Sequence, residues 1–470
     1  MTIDNINIAD TLKDVEDLLK QEKDLSPASR AMFEVLILVI TLLVNRLGLN
    51  SKNSSKPPSS DPNRKKTTKK NKDNKIGGQE GHQGKTLQKI DNPDIIQFIK
   101  LDRRKLPRGK YKEVGYESRQ VFDIDISRIV TEYQAQILED ENGKRFTAPF
   151  PDDVSKAVQY GKNIKAHSVY LSQFQLIPYN RVQDYFQDQL QIPISTGTLF
   201  NFNKEAYGLL EDFEQKAKNK LAESSLIHAD ETGININGNR LWLHCASSLN
   251  WTFFGAHQKR GKVAMDHIGI LPLFNGILCH DHWKPYYKYS CSHALCNAHH
   301  LRELTRAWEQ DNQHWAKHMK ALLEKINRAV NDAGGALGTD EAEEYRQKYR
   351  AILKEGDLES PPPEKTERKG KRGRIKKTKA RNLLERLRDY EDDTLLFMEK
   401  VIVPFTNNLG ENDLRMTKVQ QKISGCFRSI DGAHIFCRVR SYLSTCRKQG
   451  FSSSHALSVL FEGNYPALKL

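Results

Sequence analysis

Residues 224–281 read SSLIHADETGININGNRLWLHCASSLNWTFFGAHQKRGKVAMDHIGILPLFNGILCHD, and the order of their apolar runs decides the fold class. Leu226–Ala229 is a short apolar run of the kind a buried strand shows, closed by Asp230. Ile234–Ile236 and Leu241–Ala246 flank Asn237-Gly238, a dipeptide whose tolerance of positive φ marks a hairpin turn. Trp251–Ala256 makes a third strand, Lys262–Ile270 has helical spacing, and Gly276–His280 returns as a strand closed by Asp281.

Three hairpin-linked strands, a crossover helix and a further strand form the opening order of an α/β fold of the ribonuclease-H-like kind. In that topology the first and fourth strands lie side by side, which brings Asp230 and Asp281 together. A third acidic residue, Glu411, lies in TNNLGENDLR (406–415), which reads as the start of a helix with Asn407-Asn408 offering its N-cap. Two aspartates at strand ends and a glutamate from a later helix can gather around a pair of divalent cations. Such a pair clamps the attacking and leaving oxygens of a phosphodiester during in-line displacement. Each acid also has a plainer reading. Asp230 can open the turn Asp-Glu-Thr-Gly, Asp281 can cap the segment starting at Trp283, and Glu411 with Asn408 matches a capping box.

The bulk charge points the same way. With 73 Lys+Arg against 59 Asp+Glu, the 470 residues carry a net charge of +14, which favours a polyanionic partner. The seven cysteines are an odd number scattered along the chain, and no signal peptide is evident; both fit a reducing cytosol rather than a disulfide framework. The longest apolar run, FEVLILVITLLV (33–44), contains Glu34 and is too short to cross a bilayer, so a soluble cytoplasmic protein with no membrane partner is expected.

The rest of the chain divides by composition. In residues 1–50, Phe33, Leu36, Ile40, Leu43 and Leu47 recur at alternating steps of three and four, a seam suited to helix pairing. Residues 51–90 are a basic linker and a glycine-rich segment, in which Lys65, Lys66, Lys69 and Lys70 can grip phosphates by counterion release. Residues 91–155 alternate apolar and polar positions, as in SRQVFDIDI, and predict a small β-rich module. Residues 156–222 read helix, break, helix, break, helix, with the last helix starting at Ser195, a helix-turn-helix-like pattern. The catalytic core would occupy 223–290 and 404–450. A helical insertion over 291–403 separates the two parts, beginning as a long helical stretch from about Ser292, and residues 451–470 form a C-terminal tail. The insertion contains a basic loop, 361–382, with ten Lys/Arg including Lys371, Arg372 and Arg374.

Cys279, His280, His282, Cys291, His293, Cys296, His299 and His300 cluster in sequence, and Cys296 and His299 have ligand-like spacing. No second clean pair matches them, so zinc is not expected. His299 and Arg302 share a helix face and can place cations near a phosphate, and Arg428 lies in a stretch punctuated by basic residues.

At these motifs the chain resembles the bacterial insertion-sequence-66-type DDE transposases. The resemblance runs through GLNSKNSSKPPSSD, GGQEGHQGKTL, FQLIPYNR, ISTGTLFNF, HADETG, HDHWKPYY, CNAHHLREL, NNLGENDLR and SYLSTCRKQG. It implies a ribonuclease-H-like catalytic domain with a helical insertion ahead of the last acid, and a triad falling on Asp230, Asp281 and Glu411. It further implies two Mg²⁺ ions, with Mn²⁺ able to substitute, and DNA as partner at terminal inverted repeats and target. A homodimer or higher oligomer on DNA, and accessory proteins from the same element, would follow. Two departures stand out. The family's paired Cys-x-x-Cys module after the glycine-rich segment has no cysteines here, where LPRG (106–109) and EDENGK (139–144) occupy its place. Thr406 and Asn412 replace the residues usual beside the glutamate. The activity expected is end cleavage and strand transfer; a nuclease that cuts without joining, or a decayed DNA-binding protein, are the alternatives.

Overall fold

The chain turns at Asn237 and Gly238, whose φ angles of 47° and 83° are those a two-residue type I′ turn needs. On either side run the two longest strands, β1 (Leu226–Ile236) and β2 (Asn239–Ser247), antiparallel, with Ile236 opposite Asn239 and Asp230 opposite Cys245. Strand β3 (Thr252–His257) pairs antiparallel on the far side of β2. The chain crosses by the helix Lys262–Ile268 and returns as β4 (Ile277–His280), parallel to β1, with β5 (Ser292–Leu295) parallel beyond it. The sheet order is therefore β3-β2-β1-β4-β5. This computed structural model describes residues 2–3, 6–22, 24–54, 61, 86–363 and 377–469.

Alternation along the strands sends successive side chains to opposite faces. Ile227, Ala229 and Leu278 join a core with Phe186, Leu199, Phe202, Phe213 and Leu460, contributed by helices on both sides of the sheet in sequence. Ile234 and Leu243 point the other way, onto Leu414 and Phe436 of the C-terminal helices Asn408–Ser424 and Ile430–Lys448 and onto Phe427 between them. Ile277 and Cys279 meet a third cluster built around Trp315, Tyr349 and Leu384 of the insertion. Each fully buried Leu or Phe is worth about 1.5–3 kcal/mol, so β1 and β4 are held from both faces.

Several sequence expectations change. Strand β1 does not stop at Asp230: Asp230–Gly233 stay paired with Trp242–Cys245, so Asp-Glu-Thr-Gly is strand and not turn. Where a long helix was expected from about Ser292, residues Ser292–Leu295 form β5 and the helix starts at Asn297, because the parallel slot beside β4 satisfies their backbone. The expected β-rich module at 91–155 reduces to one hairpin, Ile137–Glu139 with Arg145–Thr147, and none of its described side chains is buried. Alternating sequence makes a stable sheet only where further strands or a helix cover the apolar face, and Ile124, Ile129 and Val130 have no such cover. The supposed tail carries a helix, Ser453–Phe461, whose Ala456, Leu457 and Leu460 are core. Near the N-terminus the apolar run extends into a 21-residue helix, Pro27–Leu47. At roughly 30 Å it is long enough to span a bilayer, which corrects the estimate made from residues 33–44; one such helix near an N-terminus is weak ground for a membrane assignment.

In 156–222 the helices are Lys162–Val169, running on to Phe174 as one wider turn, then Tyr179–Leu190, Thr196–Leu209 and Glu211–Ala222. Ser195 caps the third, its hydroxyl accepting from Thr198 N at 3.0 Å, and that helix sinks Leu199, Phe202, Asn203 and Ala206 into the core.

A candidate active site beside strands β1 and β4

The pairing of β1 with β4 places His228 opposite Cys279. Two residues further on come Asp230, still within β1, and Asp281, one residue past the end of β4, near enough that the charge of Asp281 bears on Asp230. The helix Asn408–Ser424 packs against β1 and carries Glu411 in its first turn. Asp230 Oδ1 accepts from Glu231 N at 2.8 Å and Asp281 Oδ1 accepts from Trp283 N at 3.0 Å. The plain role foreseen for Asp281 is thus filled, while its second oxygen has no hydrogen-bond partner among the described residues. Among the described residues neither aspartate forms an ion pair.

Electrostatics reports the same convergence. Burial pushes the Asp230 carboxyl up to about 7, and the charges of Glu231, Asp281 and Glu411 push in the same direction. Glu411 is held below its ordinary value, first by its close polar contact with His299 and against the effect of burial, with help from the charge of Arg302. His299 Nε2 lies 3.6 Å from Glu411 Oε1. That partner raises the His299 pKa against burial, and the charge of Asp281 adds to it. Cys296 Sγ is 3.7 Å from Glu411 Oε1, so Cys296, His299 and Glu411 present three donor atoms within 4.8 Å of one another. Burial drives the Cys296 thiol up to about 11, so it meets Glu411 as a neutral donor.

What ties the glutamate's helix to the aspartate's strand is Asn407, which the sequence reading treated as a cap. It is the N-cap residue, and its side chain makes no capping bond. Its Nδ2 donates to Ala229 O at 2.9 Å, which leaves Oδ1 to accept from His228 Nδ1 at 2.7 Å. Its backbone N–H donates to Cys296 Sγ at 3.1 Å. The capping box expected from Asn408 and Glu411 is therefore absent: Asn408 is already helical, and the Glu411 carboxylate faces His299 and Cys296. Gly410 makes the close approach possible, since a Cβ there would stand 3.4 Å from His228 Cβ and 3.3 Å from Asn407 Oδ1. The signal for Asn407 in the sequence was only its place in NNLGEN; its partners are about 110 and 180 residues away.

The neighbouring acid, Glu231, points to the opposite face and is fully engaged. Arg260 Nη2 and Nε bond Oε1 at 2.7 and 2.9 Å, and Tyr286 OH donates to Oε2 at 2.5 Å. Of the other sequence candidates, Arg302 lies beside Glu411 on the helix Asn297–Asp311, without an ion pair among the described residues. Arg428 is exposed beside Phe427, which bridges to Ile236 at the turn end of β1. Lys65, Lys66, Lys69, Lys70, Lys371, Arg372 and Arg374 lie outside the described residues. Cys279 is buried in β4, His280 Nε2 meets His293 Nδ1 at 3.1 Å, and His300 Nδ1 meets Asn297 Oδ1 at 3.0 Å. The Cys/His cluster thus resolves mostly into packing pairs.

Residues 157–435, more than half of the 470, match the profile of the Transposase IS66 family, and residues 6–88 match a family of unknown function, DUF6444. Over 75 residues the chain is 37% identical to an uncharacterized protein, y4jO, of Sinorhizobium fredii (strain NBRC 101917 / NGR234). That stretch is 16% of this chain and 23% of the relative, so the chain spans about a quarter of that protein's length.

Proposed function

We propose that this chain, which belongs to the IS66 family of transposases, cuts the ends of its element and joins them to target DNA through Asp230, Asp281 and Glu411. The sheet order β3-β2-β1-β4-β5, antiparallel over three strands and parallel over two, supports a ribonuclease-H-like core. The observation that carries the reading is Asp230: a half-buried carboxyl, raised to about 7, beside two further acids and with no cationic partner among the described residues. Carboxylate oxygens without a protein cation fit hard divalent ions, which take oxygen ligands and leave room for substrate phosphate.

Asp230, Asp281 and Glu411 would together hold the two ions. Bound there, two Mg²⁺, or Mn²⁺ in their place, would polarise the scissile phosphate and lower the pKa of the attacking hydroxyl. The chain's own residues do the rest. Asn407 fixes the Glu411 helix against β1, and His299 keeps Glu411 ionised until substrate arrives. Arg302 adds positive charge beside the pocket, where a DNA phosphate would pass. In the first step a water oxygen forms a bond to phosphorus and the bond to the 3′ oxygen breaks, freeing a 3′-hydroxyl. In the second, that hydroxyl attacks a target phosphodiester and a new 3′ end leaves. The helices of 156–222 and the basic stretches 51–90 and 361–382 would hold the DNA, phosphate contacts positioning it and base contacts specifying it. A homodimer or larger assembly on two ends, acting in the cytoplasm with any accessory proteins of the element, completes the proposal.

The test is cleavage and joining of DNA carrying the inverted repeats that bracket the gene, with Mg²⁺ added. Wild-type protein should nick and then join a pre-nicked end, while Asp230→Asn should bind and do neither. Nicking without joining would leave a nuclease, and full activity in Asp230→Asn would remove Asp230 from the site.

A further inference from the structure

Four planar side chains lie in series on the sheet face that carries Glu231, the reverse of the face of Asp230, and reach the segment just past Asp281. The Arg240 guanidinium is 4.8 Å from the centre of the Trp242 ring, Arg260 is 4.7 Å from the same ring, and Arg260 is 4.2 Å from the Trp283 ring. The stack starts on β2, where Trp242 sits opposite Gly233 of β1. That glycine leaves space which Arg240 fills: a Cβ at Gly233 would come 2.9 Å from Arg240 Nε. At its other end, Trp283 is two residues beyond Asp281 and donates its backbone N–H to that carboxylate at 3.0 Å. On the β1 side, Lys418 Nζ bonds Gly233 O at 3.2 Å from the helix that carries Glu411.

Arg260 is held by Glu231, whose side chain is 1% exposed, while Arg260 itself stays 39% exposed. Glu231 neutralises the Arg260 guanidinium, so the centre of the stack is poorly suited to gripping a phosphate. What it offers solvent is planar π surface. The two tryptophans are only partly covered and Arg240 is exposed; a stack serving the core alone would be buried. Alternating aromatic and guanidinium planes suit a nucleobase, which gains about 1–3 kcal/mol per base from such stacking, with little regard to sequence. A base can reach them only if it is unpaired.

We propose that the Arg240–Trp242–Arg260–Trp283 ladder is a stacking platform for unpaired nucleobases of the DNA strand delivered to Asp230 and Asp281. This rests on the reading of the site as a DNA-cutting centre. It adds that the strand arrives frayed or flipped at its end, and that the ladder holds it open.

The experiment measures binding of the full chain, without divalent ions so that nothing is cut, to a fluorescent single strand and to a blunt duplex of matched length. Replacing Trp242 and Trp283 together by Ala should weaken single-strand binding by about 10–100-fold and change duplex binding by less than about threefold. Replacing both by Phe should retain most of the affinity. Arg240→Ala, a change at an exposed position, should lose part of it and guards against misfolding of the double variant. Quenching of a 2-aminopurine base in an overhang, lost in the Ala variant, reports the stack directly. Equal single-strand affinity in folded Ala and wild-type proteins overturns the proposal, as does an equal loss on both DNAs. Wild-type binding to duplex alone overturns the ladder and leaves the transposase reading standing. Binding to neither DNA brings down both.

Discussion

Two acidic regions of the molecule carry similar charges and treat them in opposite ways. In the helical insertion, Arg346 is bonded by Glu391, Asp392 and Glu399 at 3.1, 2.8 and 2.6 Å, and Arg381 by Asp357 and Glu385 at 2.7 and 2.9 Å. In the middle of β1 and just past β4, Asp230 and Asp281 lie within reach of each other's charge, with backbone amides as their hydrogen-bond donors. Removing one partner of a buried pair leaves a costly charge, so folding stabilises the insertion by completing each set. The aspartate pair has no such set among the described residues, and desolvation of Asp230 is tolerated there. On the proposed reading the difference separates a structural network, satisfied by the chain, from a site that takes its charge from outside.

The sharpest way to break that contrast is to neutralise Asp230. Asp230→Asn should reduce DNA cleavage to background in a gel assay while its unfolding temperature stays level or rises, since a costly buried charge has gone. A fall in stability with cleavage intact would make Asp230 part of the scaffold. Next comes the staple. Asn407→Ala should lower cleavage by about 10–100-fold, the usual cost of losing a partner behind a metal-binding group, and weaken Mn²⁺ binding seen by paramagnetic resonance. Loss of stability alone, with Mn²⁺ binding unchanged, would limit Asn407 to packing.

The insertion should respond the other way. Arg346→Ala should cost about 2–3 kcal/mol in urea unfolding and leave Mn²⁺ affinity as it was; a shift in that affinity would join the two regions. A subtler difference lies in pH. Asp230 holds its proton to about 7 in the fold against 3.8 for an ordinary carboxyl, so the folded state binds that proton more tightly. The stability this contributes is complete below about pH 4 and is lost as pH rises through about 7, each unit of difference being worth about 1.4 kcal/mol. Metal-free wild-type protein should lose stability over that window more steeply than Asp230→Asn, and parallel curves would refute the burial argument. The smallest effect is expected at Arg302: replacing it by Ala should weaken DNA binding about equally across sequences and reduce the salt slope by about 1. An unchanged slope would place it away from the phosphates.

Much of the sheet could be read in advance because local rules govern it. Asn237-Gly238 announced the hairpin, and the apolar run before Asp281 announced β4, since turn chemistry and strand burial act over a few residues. The same alternation at 91–155 misled, because periodicity says which face a strand would bury and nothing about whether another layer exists to cover it. Ser292–Leu295 was taken for helix for a related reason: four residues have too short a pattern, and only the open edge of β4 makes them a strand. Asn407 takes the N-cap position its sequence suggests, but its side chain serves Ala229 and His228, partners reached only through folding.

By itself the chain determined the identity and approximate order of the strands, the basic balance that suits DNA, and the three acids worth watching. The β1–β4 register, the Asn407 staple, the pairing of His299 with Glu411 and the Arg–Trp ladder were decided by tertiary structure alone. Local signals reach as far as a hydrogen-bonded turn or one strand period, whereas the β1–β4 register and the Asn407 staple close loops of fifty to nearly two hundred residues, and the longer steps of the ladder close about twenty. Which groups end up within a few ångströms, and which carboxylate is left without a counter-charge, depends on how whole layers pack.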